Sequence, residues 1–337
     1  MHPIQGAACL QATPATRTRK SVRVPLVLAL LAAFAGSAQA SCGSAFCSIN
    51  TDWGAGTTGL TEGSSLDVRY ENIKQDQPRA GSRKVAVGEI PGHHDEVHTF
   101  NQNLVATYNR TWASGWGFSA TLPFVDRDHL HIHHHHGEAL DEQWNFRKLG
   151  DMRVTGRYQQ SLPGSDAAPR TAGGFLGLKL PTGKTGVAND EGDVAERSLQ
   201  PGSGTTDLVL GGYFHQQLAG SGAAWFAQAQ LQLPLNSSDN FKPGSQFALD
   251  LGYAYPMTAR LSALVQLNVV GKGRDSGSEA EPEDSGGRFV YLSPGLSYKF
   301  SDRFLGYAYY QHPLYQYVNG VQLTTSRAFV VGVSTHF

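Results

Sequence analysis

The residues with the most chemical potential in this sequence are histidines, and nine of the 13 lie between residues 93 and 136. Imidazole nitrogens suit Zn²⁺, Cu²⁺ and Ni²⁺, and nearby carboxylates complete a coordination shell or orient the rings. Residues two apart on an extended strand point the same way, so the spacing of 129, 131 and 133 would place three rings on one side. We therefore predict a transition-metal site. Its candidate ligands are His93, His94, His98, His129, His131 and His133.

Other uses of these histidines stay open. A polar, solvated loop would bind metal only weakly, as natural histidine tracts do, and clustered imidazoles can also sense pH. An acid–base set of Asp126, Asp128 and His129 would suit a hydrolase, but no serine or second acidic partner is placed opposite it. We therefore expect that the protein is not an enzyme and requires no cofactor. The candidate metals for the histidine site are Zn, Cu and Ni.

The elements that must position these residues are β-strands with two different faces. In the last segment two sets of residues alternate: Phe329, Val331, Val333, Thr335 and Phe337 on one parity, and Ala328, Val330, Gly332, Ser334 and His336 on the other. Such strict alternation predicts a strand with two different faces. Twelve segments show this pattern: 65–72, 97–110, 115–125, 150–160, 171–181, 205–217, 223–234, 245–256, 259–271, 288–300, 303–312 and 326–337.

The connections between these segments predict a membrane barrel. Those after the even-numbered segments are short, whereas those after the odd-numbered segments, such as 126–149, are longer. Outer-membrane barrels alternate short periplasmic turns with long outer loops in this way, and aromatic girdles flank their apolar band. We therefore predict an all-β, transmembrane antiparallel β-barrel of about 12 strands over 65–337, with both termini periplasmic. A soluble β-sandwich would leave the pattern of connection lengths unexplained.

Both ends of the chain predict export to the outer membrane of a Gram-negative bacterium. A basic segment, a short apolar run and Ala38-Gln39-Ala40 are typical of a secretory signal peptide over 1–40. The apolar run is shorter than the roughly 20 residues of a membrane anchor. Phe337 resembles the terminal aromatic that barrel-assembly machinery reads, so that machinery and outer-membrane lipid are expected partners. The net charge of −1 gives no indication of nucleic-acid binding.

The segment 41–64 follows the cleavage site and shows no strand alternation. It carries Cys42 and Cys47, an isolated pair that predicts a disulfide in an oxidising compartment. A metal or redox role for this pair is the alternative. We expect the segment to be either a small plug in the lumen or a periplasmic extension.

The polar positions of the alternating strands predict the lining of the lumen. They carry both signs of charge, so we expect no strong ion selectivity, and most of these groups should pair with one another. The charged residues predicted to line the lumen are Asp67, Arg69, Glu71, Arg153, Arg157, Lys179, Asp250 and Arg327.

Three stretches of the sequence resemble one family of barrels. They are LGDMRVTGRY at 149–158, GLKLPTGK at 177–184 and LQPGSGTTD at 199–207. Their order is similar to that in the outer-membrane transporters named for the meta-pathway of phenol degradation. The resemblance covers about 149–214 and implies a barrel for uptake or export of small molecules. The histidine-rich segment is not part of that family pattern.

These observations predict an outer-membrane channel or transporter for a small-molecule solute, with a histidine-rich, metal-binding outer mouth. The family resemblance favours aromatic or weakly polar solutes. A surface protein that captures or senses metal, with the barrel as its anchor, is the alternative. A hydrolase at the rim of the barrel is a further alternative.

Overall fold

The computed structural model of this chain describes residues 48–51, 62–93, 95–135, 138–163 and 168–337. The predicted signal peptide over 1–40 and the predicted Cys42–Cys47 disulfide lie outside these residues. In the described part, no helix has the length and apolar character needed to cross a membrane. The strands are β1 (Gly63–Ala80), β2 (Arg83–Lys84), β3 (Asp95–Thr111), β4 (Trp116–His135), β5 (Glu138–Leu149), β6 (Met152–Leu162), β7 (Arg170–Leu180), β8 (Asp207–Gln217), β9 (Ala224–Pro234), β10 (Gln246–Pro256), β11 (Leu261–Lys272), β12 (Gly287–Lys299), β13 (Phe304–Val318) and β14 (Val321–His336).

Twelve of the 14 strands form one closed antiparallel ring. The two exceptions are β2, a short addition to β1, and β5, which pairs with the outer part of β4 and leads into β6. Pairing of β14 with β1 closes the ring. The last residue takes part in this closure, because Phe337 and Ser64 exchange backbone hydrogen bonds of 2.8 and 2.9 Å. The predicted twelve-stranded antiparallel β-barrel is confirmed.

Alternation along each strand separates an apolar outer face from a polar interior. On β1, Leu66, Val68 and Tyr70 are exposed outward, whereas Asp67 and Glu71 are buried. The same separation recurs around the ring, so exposed apolar side chains form a belt on a barrel without free strand edges. Such a belt requires lipid around it. Fold and belt together place the protein in the outer membrane of a Gram-negative bacterium.

The two ends of the barrel differ in their connections. One end, the turn end, has short connections, and the barrel begins and finishes there, with Ser65 opposite His336. Its outward aromatic residues form the predicted girdle, in which the rings of Trp116 and Tyr158 lie 5.0 Å apart. The exposed members of this girdle are Trp112, Trp116, Tyr158, Trp225, Tyr255, Tyr298, Phe300, Phe304 and Phe337. The opposite end is the loop end.

At the loop end, the predicted loop over 126–149 is instead a paired hairpin. β4 continues to His135, and β5 returns beside it from Glu138. At 20 residues, β4 is longer than the roughly 9–11 residues that cross a bilayer, so its end projects beyond the membrane. The predicted loop was wrong because both faces of the hairpin carry polar residues there, which hides the alternation.

The connection predicted over 313–325 was also too long. β13 extends to Val318 and β14 begins at Val321, which leaves a two-residue turn. Gly320 has a φ of 51° in this turn, a conformation that glycine adopts at little cost. Connection lengths therefore alternate less regularly than predicted, although every turn-end connection is short.

Candidate functional site

A cavity of about 470 Å³ lies inside the barrel. Its wall consists of inward-facing residues from β1, β3, β4 and β6 to β11. Two segments outside these strands, Ser48–Thr51 and Arg197–Pro201, also line it. The volume falls within the range of about 300–1,000 Å³ that is usual for small-molecule sites.

The short segment Ser48–Thr51 lies in the lumen. The Asn50 N–H donates to Gln266 Oε1 at 3.1 Å, and Gln266 Nε2 donates to the Asn50 carbonyl at 2.7 Å. Ile49 packs with Tyr307 and Tyr309 of the inner wall. This part of the N-terminal segment therefore occupies space in the barrel, while 41–47 and 52–61 lie outside the described residues.

The β7–β8 loop, residues 181–206, folds into the barrel mouth. Leu199 is only 2% exposed and packs with Val125, Trp144 and Phe146 on the inner face of the β4–β5 hairpin. The Arg127 guanidinium donates to the Leu199 carbonyl, and its Nε donates to Asn101 at 2.7 Å. The loop therefore narrows the lumen from within.

One carboxylate holds both ends of this loop. Asp151 accepts hydrogen bonds from the Gly183 N–H at 3.0 Å and from the Ser203 N–H at 2.9 Å. Lys179 Nζ lies 2.9 Å from Asp151 and 3.2 Å from Asp207, so one ammonium group offsets the two buried carboxylates. We call the group formed by Asp151, Lys179, Asp207 and the backbone amides of Gly183 and Ser203 the Asp151 clasp.

Glycines permit the close crossing of backbones beside the clasp. A Cβ on Gly202 would lie 2.5 Å from the Gly183 carbonyl, and a Cβ on Gly150 would lie 3.1 Å from the Pro201 oxygen. The three stretches that carry the family resemblance therefore meet at one place in the fold. Their glycines allow the approach, and their polar side chains hold the loop.

Seven of the eight predicted lumen-lining residues face the interior. Asp67 accepts from the Tyr307 hydroxyl at 2.8 and 2.9 Å, and Arg69 Nε donates to Glu71 at 2.8 Å. Asp250 accepts from Asn268 at 2.8 Å. The cavity-lining members of the set are Arg69, Arg153, Arg157, Lys179 and Asp250.

The prediction that Arg327 lines the lumen was wrong. Arg327 is exposed and shares the parity of Phe329 and Val331, which face outward. It also pairs in register with Lys74, near the loop end of β1. Its charge alone favoured the interior, but alternation along the strand determines which face it occupies.

The histidines at 129 and 131 lie side by side on the inner face of β4, where they are 1% and 5% exposed. His129 Nε2 and His131 Nδ1 are 3.3 Å apart. The outer nitrogens of the pair contact Thr99 Oγ1 at 2.7 Å and Glu142 Oε2 at 3.1 Å. Both rings also pack against Trp144. The predicted alignment is therefore present for His129 and His131, but in a buried strand rather than a loop.

Two other predicted ligands lie elsewhere. His93 contacts Asp284 of the β11–β12 connection at 2.7 Å. His98 faces outward and stacks on Phe100, with ring centroids 4.3 Å apart, so it lies on the opposite face of the sheet from His129. His94 and the side chain of His133 are outside the described part. Among the residues that the structure describes, no group of three or more His, Cys, Asp or Glu residues is arranged to hold a metal.

The acid–base set considered for a rim hydrolase is not assembled. Asp126 and Asp128 lie on the outward face of β4, where they accept hydrogen bonds from Arg147 and Gln143, both at 2.8 Å. His129 points inward from the same strand. Alternation therefore places the carboxylates and the imidazole on opposite sides of the sheet.

Sequence reasoning missed the aromatic part of the cavity wall. Phe175 and Tyr213 face inward, and their rings lie over Gly211 and Gly173 of the paired strands. A glycine directly opposite an aromatic residue on the neighbouring strand indicates such a ring position. The sequence alone does not reveal this pair, because it does not give the register between the two strands.

The fold and interior define an outer-membrane β-barrel whose polar lumen is narrowed by inserted segments. The barrel is similar to an outer-membrane channel from Pseudomonas putida F1, with a TM-score of 0.63 and 14% sequence identity, over 83% of this chain and 97% of that chain. The CymD monoaromatic hydrocarbon channel gives a TM-score of 0.38 and 10% identity, over 88% and 95% of the two chains. No family profile and no curated protein matches the sequence. At 14% identity, the similarity to the Pseudomonas putida channel shows that the two proteins share a fold and shows nothing about their function.

Proposed function

We propose that this barrel is a narrow channel for small solutes across the outer membrane. The observation that carries the proposal is the cavity of about 470 Å³, lined by charged and amide side chains. Eight strands leave an interior that side chains fill, whereas larger barrels leave room for a pathway, and twelve strands lie between these cases. A polar cavity inside a barrel of this size can hold small solutes as they cross the membrane.

The inserted segments set the size of the solutes. Both Arg197–Pro201 and Ser48–Thr51 line the cavity, so a solute has to pass beside them. We expect small molecules to pass and oligosaccharides to be excluded. A preference for aromatic or weakly polar solutes is supported by the family resemblance of 149–214.

Swelling of proteoliposomes tests this proposal. Vesicles containing the purified protein should swell in arabinose and resist swelling in a tetrasaccharide of the same osmolarity. A variant that lacks 187–199 of the β7–β8 loop should admit larger sugars. Absence of swelling in every solute, for both correctly folded proteins, would contradict the channel proposal.

A metal site at the His129–His131 pair is a second candidate function, whether as part of the channel mouth or as metal capture. Facing nitrogens 3.3 Å apart could both bind one ion, if the ion replaces the proton that bridges the rings. Thr99 and Glu142 would then orient the rings through the outer nitrogens, as partners of metal-bound histidines do. We expect Cu²⁺ to bind more tightly than Ni²⁺ or Zn²⁺.

Calorimetric titration with Cu²⁺ tests the metal site. The double variant His129→Ala/His131→Ala should lose the tightest binding event, whereas His312→Ala, which removes an exposed histidine of β13, should retain it. Equal binding by the double variant and the wild type would show that the 133–136 tract acts only as an affinity tag.

A further inference from the structure

The inner wall formed by β7 and β8 carries aromatic rings that lie flat against it. Phe175 of β7 is paired with Gly211 of β8, and a Cβ at Gly211 would collide with the Phe175 ring. Tyr213 of β8 has the same relation to Gly173 of β7. The glycines thus leave each ring room to lie along the wall, and one face of the ring can be offered to the cavity.

A guanidinium group lies beside this aromatic surface. Arg153 of β6 reaches across β7 and β8, and its Nη2 donates to Gln232 Oε1 at 2.8 Å on β9. Its Nη1 lies 3.4 Å from Gln230 Oε1. Gln230 is paired with Gly211, the residue against which the Phe175 ring lies, so the register places the guanidinium and the ring at neighbouring positions of the wall.

The charged side chains that line the cavity include more cations than carboxylates. The cations are Arg69, Arg127, Arg153, Arg157, Lys179, Arg197 and Lys272, and the carboxylates are Asp151, Asp207, Asp250 and Asp275. Asp67 and Glu71 also face the interior and pair with Arg69, so counting them gives seven cations and six carboxylates. The lining therefore has a small positive excess, which is compatible with the passage of anions.

We propose that this wall binds small aromatic carboxylates as they pass through the barrel, a proposal that rests on the channel function above. The carboxylate binds the Arg153 guanidinium, whose planar fork of donors matches its two oxygens. The aromatic ring of the solute stacks on Phe175. Arg153 therefore recognises the charge of the solute and Phe175 recognises its ring, so substitutions of the two residues can separate these contributions to binding.

Calorimetry of the detergent-solubilised protein at pH 7.5 tests the binding site directly. Sodium benzoate should bind more tightly than sodium acetate, which lacks the ring, and more tightly than phenyltrimethylammonium, which carries the opposite charge. Arg153→Gln should weaken benzoate binding about 10- to 100-fold, the usual effect of losing a hydrogen bond to a charged group. Phe175→Leu should reduce the preference for benzoate over acetate about 2- to 10-fold.

The matched control is Arg170→Gln, which removes one positive charge at the exposed start of β7. It should leave benzoate binding unchanged. Benzoate binding that is absent in the wild type, or equal in wild type and Arg153→Gln, would overturn the proposal. A heat-modifiable band on gels would show that each variant is folded.

Conductance separates this proposal from the channel function. In planar bilayers, benzoate should transiently interrupt chloride current through the wild type more often than acetate does. Current without benzoate interruptions would contradict the aromatic-carboxylate site and leave the channel function intact. Benzoate binding in calorimetry without any current would contradict the channel function instead.

Discussion

Asp151 connects more of the barrel interior than any sequence pattern indicates. Its carboxylate binds the Gly183 N–H, the Ser203 N–H and hydroxyl, and the Lys179 ammonium. The partners come from β7 and from both ends of the β7–β8 loop. Because one carboxylate accepts hydrogen bonds from all of these donors, it fixes the position of the loop.

We predict that Asp151→Ala releases the β7–β8 loop, because it removes the acceptor for both loop ends. Proteoliposomes with this variant should swell faster in a disaccharide than those with the wild type. Asp190→Ala removes an exposed carboxylate from the same loop and should leave the rate unchanged. A rate for Asp151→Ala equal to that of Asp190→Ala would show that the clasp does not hold the loop.

Lys179 should be more important for stability than a surface lysine. Removal of its ammonium leaves Asp151 and Asp207 buried without their shared cation. Breaking a buried ion pair in this way costs about 3–5 kcal/mol. Lys179→Met should therefore lower the temperature at which the folded band disappears on gels.

Lys148→Met provides the matched control for this substitution, because Lys148 is exposed on β5. Its transition should remain at the wild-type temperature. Equal transitions for the two variants would argue against the role assigned to Lys179.

For individual residues, strand alternation predicted which charged side chains point into the barrel but not which residues they contact. Asp67 and Lys179 face the lumen as their parity requires. Their partners could not be predicted, because contacts such as Tyr307–Asp67 join residues 240 positions apart. Arg327 shows that a charged residue type is a weaker guide than strand parity.

The β7–β8 loop is the element that sequence reasoning described least well. The length of the connection predicted over 182–204 indicated an outer loop, whereas Val187, Ala195 and Leu199 of this segment pack against the inner wall. That position depends on distant contacts, including Arg127 with the Leu199 carbonyl. Local sequence patterns carry no information about such contacts, although the family-like stretches at its ends marked the residues that form them.

We predict that Gly202→Val displaces this loop, because its Cβ would lie 2.5 Å from the Gly183 backbone. Displacement should expose Arg197, which is 9% exposed, and speed tryptic cleavage after it in the folded protein. Gly186→Val is the matched control, since a Cβ at Gly186 meets nothing within 4 Å. Equal cleavage rates in the two variants would contradict the close crossing.

The whole barrel was the most predictable feature because the bilayer imposes it. Because lipid surrounds the barrel, each strand needs an apolar outer face. Each strand in the membrane must also pair on both edges, because lipid offers no hydrogen bonds to the backbone. These requirements repeat in twelve segments, so errors in one segment, such as the end of β4, do not change the architecture. The contents of the lumen obey no such periodic rule, and Ser48–Thr51 and the β7–β8 loop show how much they vary.

Single-molecule current in a planar bilayer tests the channel function most directly. The account predicts small, discrete current steps for the wild type and larger steps for the variant without 187–199. Both proteins should show a heat-modifiable band, so that loss of folding is not mistaken for closure. Two folded proteins that never pass current would contradict the assignment of this barrel as a channel.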